Sequence, residues 1–369
     1  MIGRVLLLFL LVFPSVVSAQ TSPQATFEEL TQKAQKAYEA DHLDEAAALY
    51  RDAVKIRSDS VQSWWALGMI EYQRDRYPEC RDALDRMIAI DSSAAPGFAL
   101  LGLCEYRTRQ YDIAFQHLKK AHMLVPPTQP GGQLLDMADY HLALLLTQQG
   151  AFEVAQELLM RVARRVHTNP DMMFAAGLAS LRMPVLPSDV AADQRDVVTM
   201  AGKTFWDLAT RPPEEAEADF KALVAKYPKF SNVHYFYGTY LAARRPEDCV
   251  PEFLQELTVT PESVPARVQL ALRYILDDNL DAALKSAREA VKLSPDSVGA
   301  QLALAKALKA KGDNPGSLTA YLAAERLDPV SPAIRLQIVN LYRALDRVDD
   351  MRREMADYER LKTQEANWP

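Results

Sequence analysis

Apolar and small residues recur along this chain with the three-to-four spacing of helices, and the helical pattern itself repeats. Residues 64–77 read WWALGMIEYQRDRY, and residues 98–111 read FALLGLCEYRTRQY. Aligned in that register, Leu67 and Gly68 match Leu101 and Gly102, Glu71 and Tyr72 match Glu105 and Tyr106, and Tyr77 matches Tyr111. A second series marks where helices stop: Pro228, Pro261, Pro295 and Pro329 stand 33, 34 and 34 residues apart. Proline ends a helix because it has no backbone N–H to donate and it restricts the residue before it. The pattern predicts short helices in pairs, one pair per period.

The aromatic at the head of each line (Trp64, Phe98), the Leu-Gly three residues on, and a downstream small residue, large apolar residue and proline resemble the tetratricopeptide repeat. The tyrosine after Leu-Gly sits one place later than that family's pattern, and Glu71 and Glu105 fill its slot. Ala46, Tyr50 and Ala53 supply the second helix of a unit at 27–60; Ala114, Leu118, Ala121 and Pro126 do so at 95–128. Gly150, Phe152, Ala155 and Leu159 mark a unit at 136–169, and further units run 197–230, 231–263, 264–297, 298–331 and 332–365. Glycine or alanine at the eighth place (Ala34, Gly68, Gly102, Ala143, Gly238, Ala271, Ala305) lets paired helices approach closely. The resemblance implies an all-α fold, a right-handed α-solenoid of about nine helical hairpins with an irregular segment in the middle. A lone hairpin cannot bury its apolar face, so the hairpins must stack.

The irregular segment begins at DMMFAAGLASLRMP (171–184), which reads as a first helix with Gly177 in the close-packing slot. Residues 188–210 then read as one long helix, capped by Ser188 or Asp189 and stopped by Pro212 and Pro213. EEAEADFKALVAKYP (214–228) is an ordinary second helix, which leaves three helices where pairs are expected. The expected organisation is a leader at 1–19, a flexible stretch at 20–26, an N-terminal array at 27–169, an irregular helical connector at 170–196, a C-terminal array at 197–365 and a tail at 366–369.

The first residues, MIGRVLLLFLLVFPSVVSAQ, carry one charge at Arg4, an apolar run, and small Val17 and Ala19 before Gln20, the layout of a cleaved export signal. The apolar core is shorter than the ~20 residues a membrane span needs, so an uncleaved anchor is the weaker reading. An exported, periplasmic or secreted bacterial protein is expected, with no integral span after signal removal. The formal net charge of −7, with both signs interspersed, excludes a nucleic-acid footprint. Cys80, Cys104 and Cys249 make an odd count without CxxC spacing and read as core packing. His42, His117, His122, His141, His167 and His234 lack metal-ligand spacing, and no phosphate loop or nucleophile motif is present, so no metal, cofactor or catalytic role is expected.

What remains is a wall. In the family that the repeats resemble, first helices line a concave face. By that resemblance Trp65, Met69, Tyr72, Leu103, Tyr106, Tyr140, Phe174 and Tyr235 are the candidate binding residues, with Trp64 turned to the core. Later units offer Lys306, Lys309, Asn340 and Arg343 in the same places. The lysine and asparagine pattern of the subfamily that grips a C-terminal carboxylate is replaced here by Thr31, Gln35 and Ala66. The expected function is a non-enzymatic scaffold that holds a protein or peptide segment in an aromatic groove. Self-association, and service as the non-catalytic subunit of an envelope enzyme, are the alternatives.

Overall fold

The computed structural model describes residues 23–125, 132–166 and 168–366. The leader reading at 1–19, His167 and Pro126 therefore lie outside the described residues. Among the described residues all regular structure is helical, nineteen α-helices and three short 3-10 turns without a strand. The fold is an all-α solenoid of repeat hairpins, in two compact units, residues 1–110 and 111–369.

The first unit holds α1 (Pro23–Glu39), α2 (Leu43–Ile56), α3 (Val61–Gln73), α4 (Tyr77–Ile90) and α5 (Ala95–Arg107). Alanines do much of the packing: Ala34, Ala37, Ala46, Ala47 and Ala83 enclose Tyr50, Leu67 and Ile70 in one cluster. A methyl group on Gly68 would meet Leu84 at 2.8 Å, which is why α3 and α4 can lie so close. The turns between paired helices carry a left-handed residue at Asp41, Asp75 and Arg109, at the repeat interval. Aspartate tolerates that conformation better than most side chains. The glutamate that displaces the family tyrosine also has a structural reason. Glu71 is fully buried, accepts from Arg74 Nη1 at 2.9 Å, and pairs with Arg51 of α2. It ties one hairpin to the next.

Two expectations are corrected in this unit. Cys80 of α4 and Cys104 of α5 form a disulfide, with Cα atoms 6.6 Å apart, rather than packing as thiols. Period counting puts each on a helix but does not show that the two helices face one another. Trp64 is half-buried, resting on the alanine cluster with its indole N–H donated to the Ser58 carbonyl at 2.8 Å, rather than enclosed.

The second unit opens with α6 (Tyr111–Leu124), α7 (Gln133–Gln148), α8 (Phe152–Ala163) and α9 (Pro170–Ser180). The long helix expected at 188–210 is shorter: two 3-10 turns occupy 187–189 and 192–194, and α10 runs Arg195–Thr210. Its partner is α9. A Cβ on Gly177 would stand 2.0 Å from the Val198 carbonyl oxygen, and one on Gly202 would stand 1.9 Å from that of Met173. The two backbones touch, so α11 (Pro213–Lys226) is the helix left over.

Regular pairs resume with α12 (Val233–Arg244), α13 (Cys249–Val259), α14 (Val264–Leu276), α15 (Leu280–Leu293), α16 (Val298–Ala310), α17 (Asn314–Leu327), α18 (Pro332–Ala344) and α19 (Val348–Ala366). Ser263 and Ser297 cap α14 and α16 by accepting the amides of Ala266 and Ala300. The start of α12 is held differently, by a carboxylate from another helix. Asn232 is left-handed at φ 67°, and buried Glu256 of α13 accepts the amides of Asn232 at 2.8 Å and Tyr235 at 3.2 Å. Cys249 stays a buried thiol, which burial pushes to a higher pKa.

Candidate binding wall

In the first unit the expected wall falls on α3 and α5. Trp65, Met69, Tyr72 and Tyr106 are half-buried, each showing part of its side chain to solvent. Leu103, placed on the wall by the period, is only 2% exposed. The reason is that α5 is apolar on nearly every face, and such a helix is enclosed rather than half-covered. Tyr72 sits edge-on to Tyr77, ring centres 5.7 Å apart, and the Arg107 guanidinium lies 4.8 Å above the Tyr77 ring. Burial raises the Tyr72 phenol pKa, opposed by the positive Arg107. Burial and a hydrogen bond to Asp75 push that of Tyr77 up to about 12. Both phenols are neutral donors at physiological pH. Tyr77 already donates to Asp75, so the Tyr72 hydroxyl is the one left to give a hydrogen bond to a carbonyl or carboxylate, while both rings supply apolar area.

The second unit receives the other three candidates, with less left open. Tyr140 of α7 packs against the core of Val162, Ala163, Met172 and Trp206. Phe174 of α9 lies beneath the Arg195 guanidinium at 4.7 Å. Tyr235 is corrected outright: it is 6% exposed, covered by Arg182 at 5.4 Å and by Phe253 at 6.0 Å. The short connector from α9 to α10 carries Arg182 over that ring, and no repeat pattern could show it.

A hollow not singled out from the sequence stands at the far end of this unit. Leu302, Lys306, Lys309 and Ala310 of α16, with Ile334 and Gln337 of α18, line about 520 Å³. Lys309 Nζ reaches the Gln337 side-chain oxygen at 3.2 Å, and Lys306 stands exposed. The two lysines were legible as wall places. Ser331 and Ala333 also line the hollow.

The polar clusters are structural in geometry. His234 places Nδ1 2.7 Å from a Glu252 oxygen and Nε2 3.1 Å from the Pro228 carbonyl, so both nitrogens donate; the Glu252 hydrogen bond raises its pKa. His122 donates from Nδ1 to Asp139 at 2.7 Å and accepts at Nε2 from Arg161 at 2.9 Å. Arg165 closes that network on Asp136. Among the described residues no three His, Cys, Asp or Glu side chains are grouped as metal ligands.

A model of the tetratricopeptide repeat family matches residues 31–95 and 269–332. No curated protein matches the chain. Solved structures of similar fold include the MamA RS-1 ArsTM double mutant, 17% identical over 46% of this chain and 97% of that one, with a TM-score of 0.43. MamA residues 41 to the end from Desulfovibrio magneticus RS-1 are 18% identical over 46% of this chain and 95% of that one, at 0.40. The APC/C hetero-tetramer Cut9-Hcn1 is 14% identical over 92% of this chain and 74% of that one, at 0.32. The family assignment rests on the repeat model and on the helix pairs, not on these scores.

Proposed function

Because the chain is a tetratricopeptide-repeat protein, we propose that it is a non-catalytic scaffold whose first unit holds a segment of another protein against Trp65, Met69, Tyr72 and Tyr106. The observation that carries this reading is the half-exposure of those four large side chains on the two first helices α3 and α5. Rigid, partly exposed aromatics are the side chains that typically supply most of an interface's energy. The neutral Tyr72 phenol gives the wall a hydrogen-bond donor without a charge, so the segment it fits is apolar or aromatic with a free backbone carbonyl. Tyr140 and Phe174 belong to this proposal as lesser contributors, since each is already engaged by its own unit.

Export belongs to the same reading. Disulfides persist in oxidising compartments and are rare in the cytosol, so the Cys80–Cys104 bond supports the leader reading of residues 1–19. No helix among the described residues is long and apolar enough to cross a membrane. The proposed setting is the periplasm or the exterior.

The test is affinity capture from the cell's own envelope fraction, comparing the parent with a Trp65→Ser, Tyr72→Ser, Tyr106→Ser variant of unchanged helix content. Loss of one discrete partner in the variant, at both low and high salt, is expected, because apolar contacts are not screened. Capture of the same partner by both proteins sinks the proposal. Light scattering on the parent separates the self-association alternative: a dimer at micromolar concentration that the variant abolishes would favour it.

A further inference from the structure

The leftover helix borders a concavity in the second unit. At the break α11 stands between α10 and α12. A cleft of about 620 Å³ opens there, bounded by α8, α10, α11 and α12. That volume is typical of a site for a small organic molecule.

The floor of the cleft is aromatic. Phe205, Phe220, Phe236 and Tyr240 line it, the Phe220 and Tyr240 rings stacked at 4.6 Å and Phe236 set against Phe220 at 4.7 Å. All four are buried, Phe220 completely, so they form the packed base beneath the cleft, and the apolar surface open to it comes from half-buried Met160 of α8 and Leu208 of α10. The rim is basic. Arg161 and Arg164 at the end of α8 and Arg244 at the end of α12 border the opening. Arg161 is anchored through Nη2 to His122, and its buried Nε has no hydrogen-bond partner. Among the described residues Arg164 and Arg244 have no ion-pair partner, whereas Arg165, Arg182, Arg211 and Arg245 each have one. On the acidic side Glu153 is neutralised by Arg182, which leaves Glu157 alone against three guanidiniums.

We propose that this cleft binds a small organic anion, a molecule with an apolar body and one acidic group. The body lies against Met160 and Leu208, the half-buried apolar side chains of the cleft, where removing apolar area from water favours it. Arg164 and Arg244 take the carboxylate or sulfonate, for which the guanidinium fork is suited. A neutral molecule of the same shape leaves those forks unmatched, and a cation is repelled by them. The inference is independent of the scaffold reading, which concerns α3 and α5 of the other unit.

The test uses the full chain and two fluorescent probes: 8-anilinonaphthalene-1-sulfonate, a planar aromatic anion, and N-phenyl-1-naphthylamine, its uncharged counterpart. The parent should show one saturable site for the anion. Arg164→Gln combined with Arg244→Gln changes only exposed side chains; it should weaken the anion by about tenfold or more, the cost of a lost charge-assisted contact, and leave the neutral probe nearly unchanged. Ala243→Trp, which fills the cleft from an exposed position, should abolish binding of both probes while the melting temperature holds. Equal anion affinity in the double variant and the parent overturns the proposal, as does equal weakening of both probes. Binding of both probes that survives Ala243→Trp places the site elsewhere and overturns it too.

Discussion

Single carboxylates hold positions that the repeat pattern leaves to apolar or capping residues. Glu256 is fully buried and gives both oxygens to the amides that start α12. Glu256→Ala strands two buried donors and should lower unfolding stability by about 2 to 4 kcal/mol, while Glu256→Gln, which keeps one acceptor, should lose less; urea titration measures both. His234 gives a pH-dependent counterpart. Its hydrogen bond to Glu252 raises the folded-state pKa above the usual 6.5, so folding favours the protonated ring. That stabilisation is complete below the unfolded value and is lost as the pH rises through the raised folded value. The stability difference between the parent and His234→Gln should therefore shrink as the pH rises above the unfolded value of 6.5 and through the raised folded value. A difference that grows with pH would mean that the ring is held neutral. Neither role was legible beforehand. A period reports which side chains are enclosed, not which polar atoms find one another across a helix pair.

Among elements, the helix pairs were readable because each must repeat the same small residue opposite the same large one. Gly68 against Leu84 and Gly238 against Phe253 are two examples. The exception was equally instructive. Gly177 showed itself as the small residue of a first helix, yet its counterpart Gly202 lies in a segment whose helix starts seven residues later than its capping residues suggested. Only the facing backbones reveal that α9 pairs with α10. The two kinds of close approach should respond differently to one methyl group. In Gly177→Ala and Gly202→Ala the new carbon meets a backbone carbonyl, which cannot turn aside, and each should cost roughly 3 kcal/mol or more. In Gly68→Ala it meets the flexible end of Leu84, and the gain in helix propensity of about 1 kcal/mol offsets much of the strain. Thermal melts of the three variants separate these cases. Equal losses would show that α9 and α10 are not in backbone contact.

For the molecule as a whole, the disulfide is the one covalent cross-link among the described residues. It joins α4 and α5 across a separation of 24 residues, and a cross-link of that size typically stabilises by about 2 to 4 kcal/mol. Reduction should therefore raise hydrogen exchange in α4 and α5 and in the helices packed on them. The all-α class was plain in the sequence because it follows from local spacing, whereas the wall places were only what the repeat resemblance implies. The sequence could not show that Leu103 and Tyr235 are covered, because the groups that cover them come from elsewhere in the fold. The scaffold reading itself is tested most directly by site-specific photo-crosslinking in the cell. A photoreactive side chain at Met69 or Tyr106 should trap one partner protein, and the same group at Ile90, which is 42% exposed on α4, should trap none. A partner trapped from Ile90 and not from Met69 or Tyr106 would contradict the assignment of α3 and α5 as the binding wall.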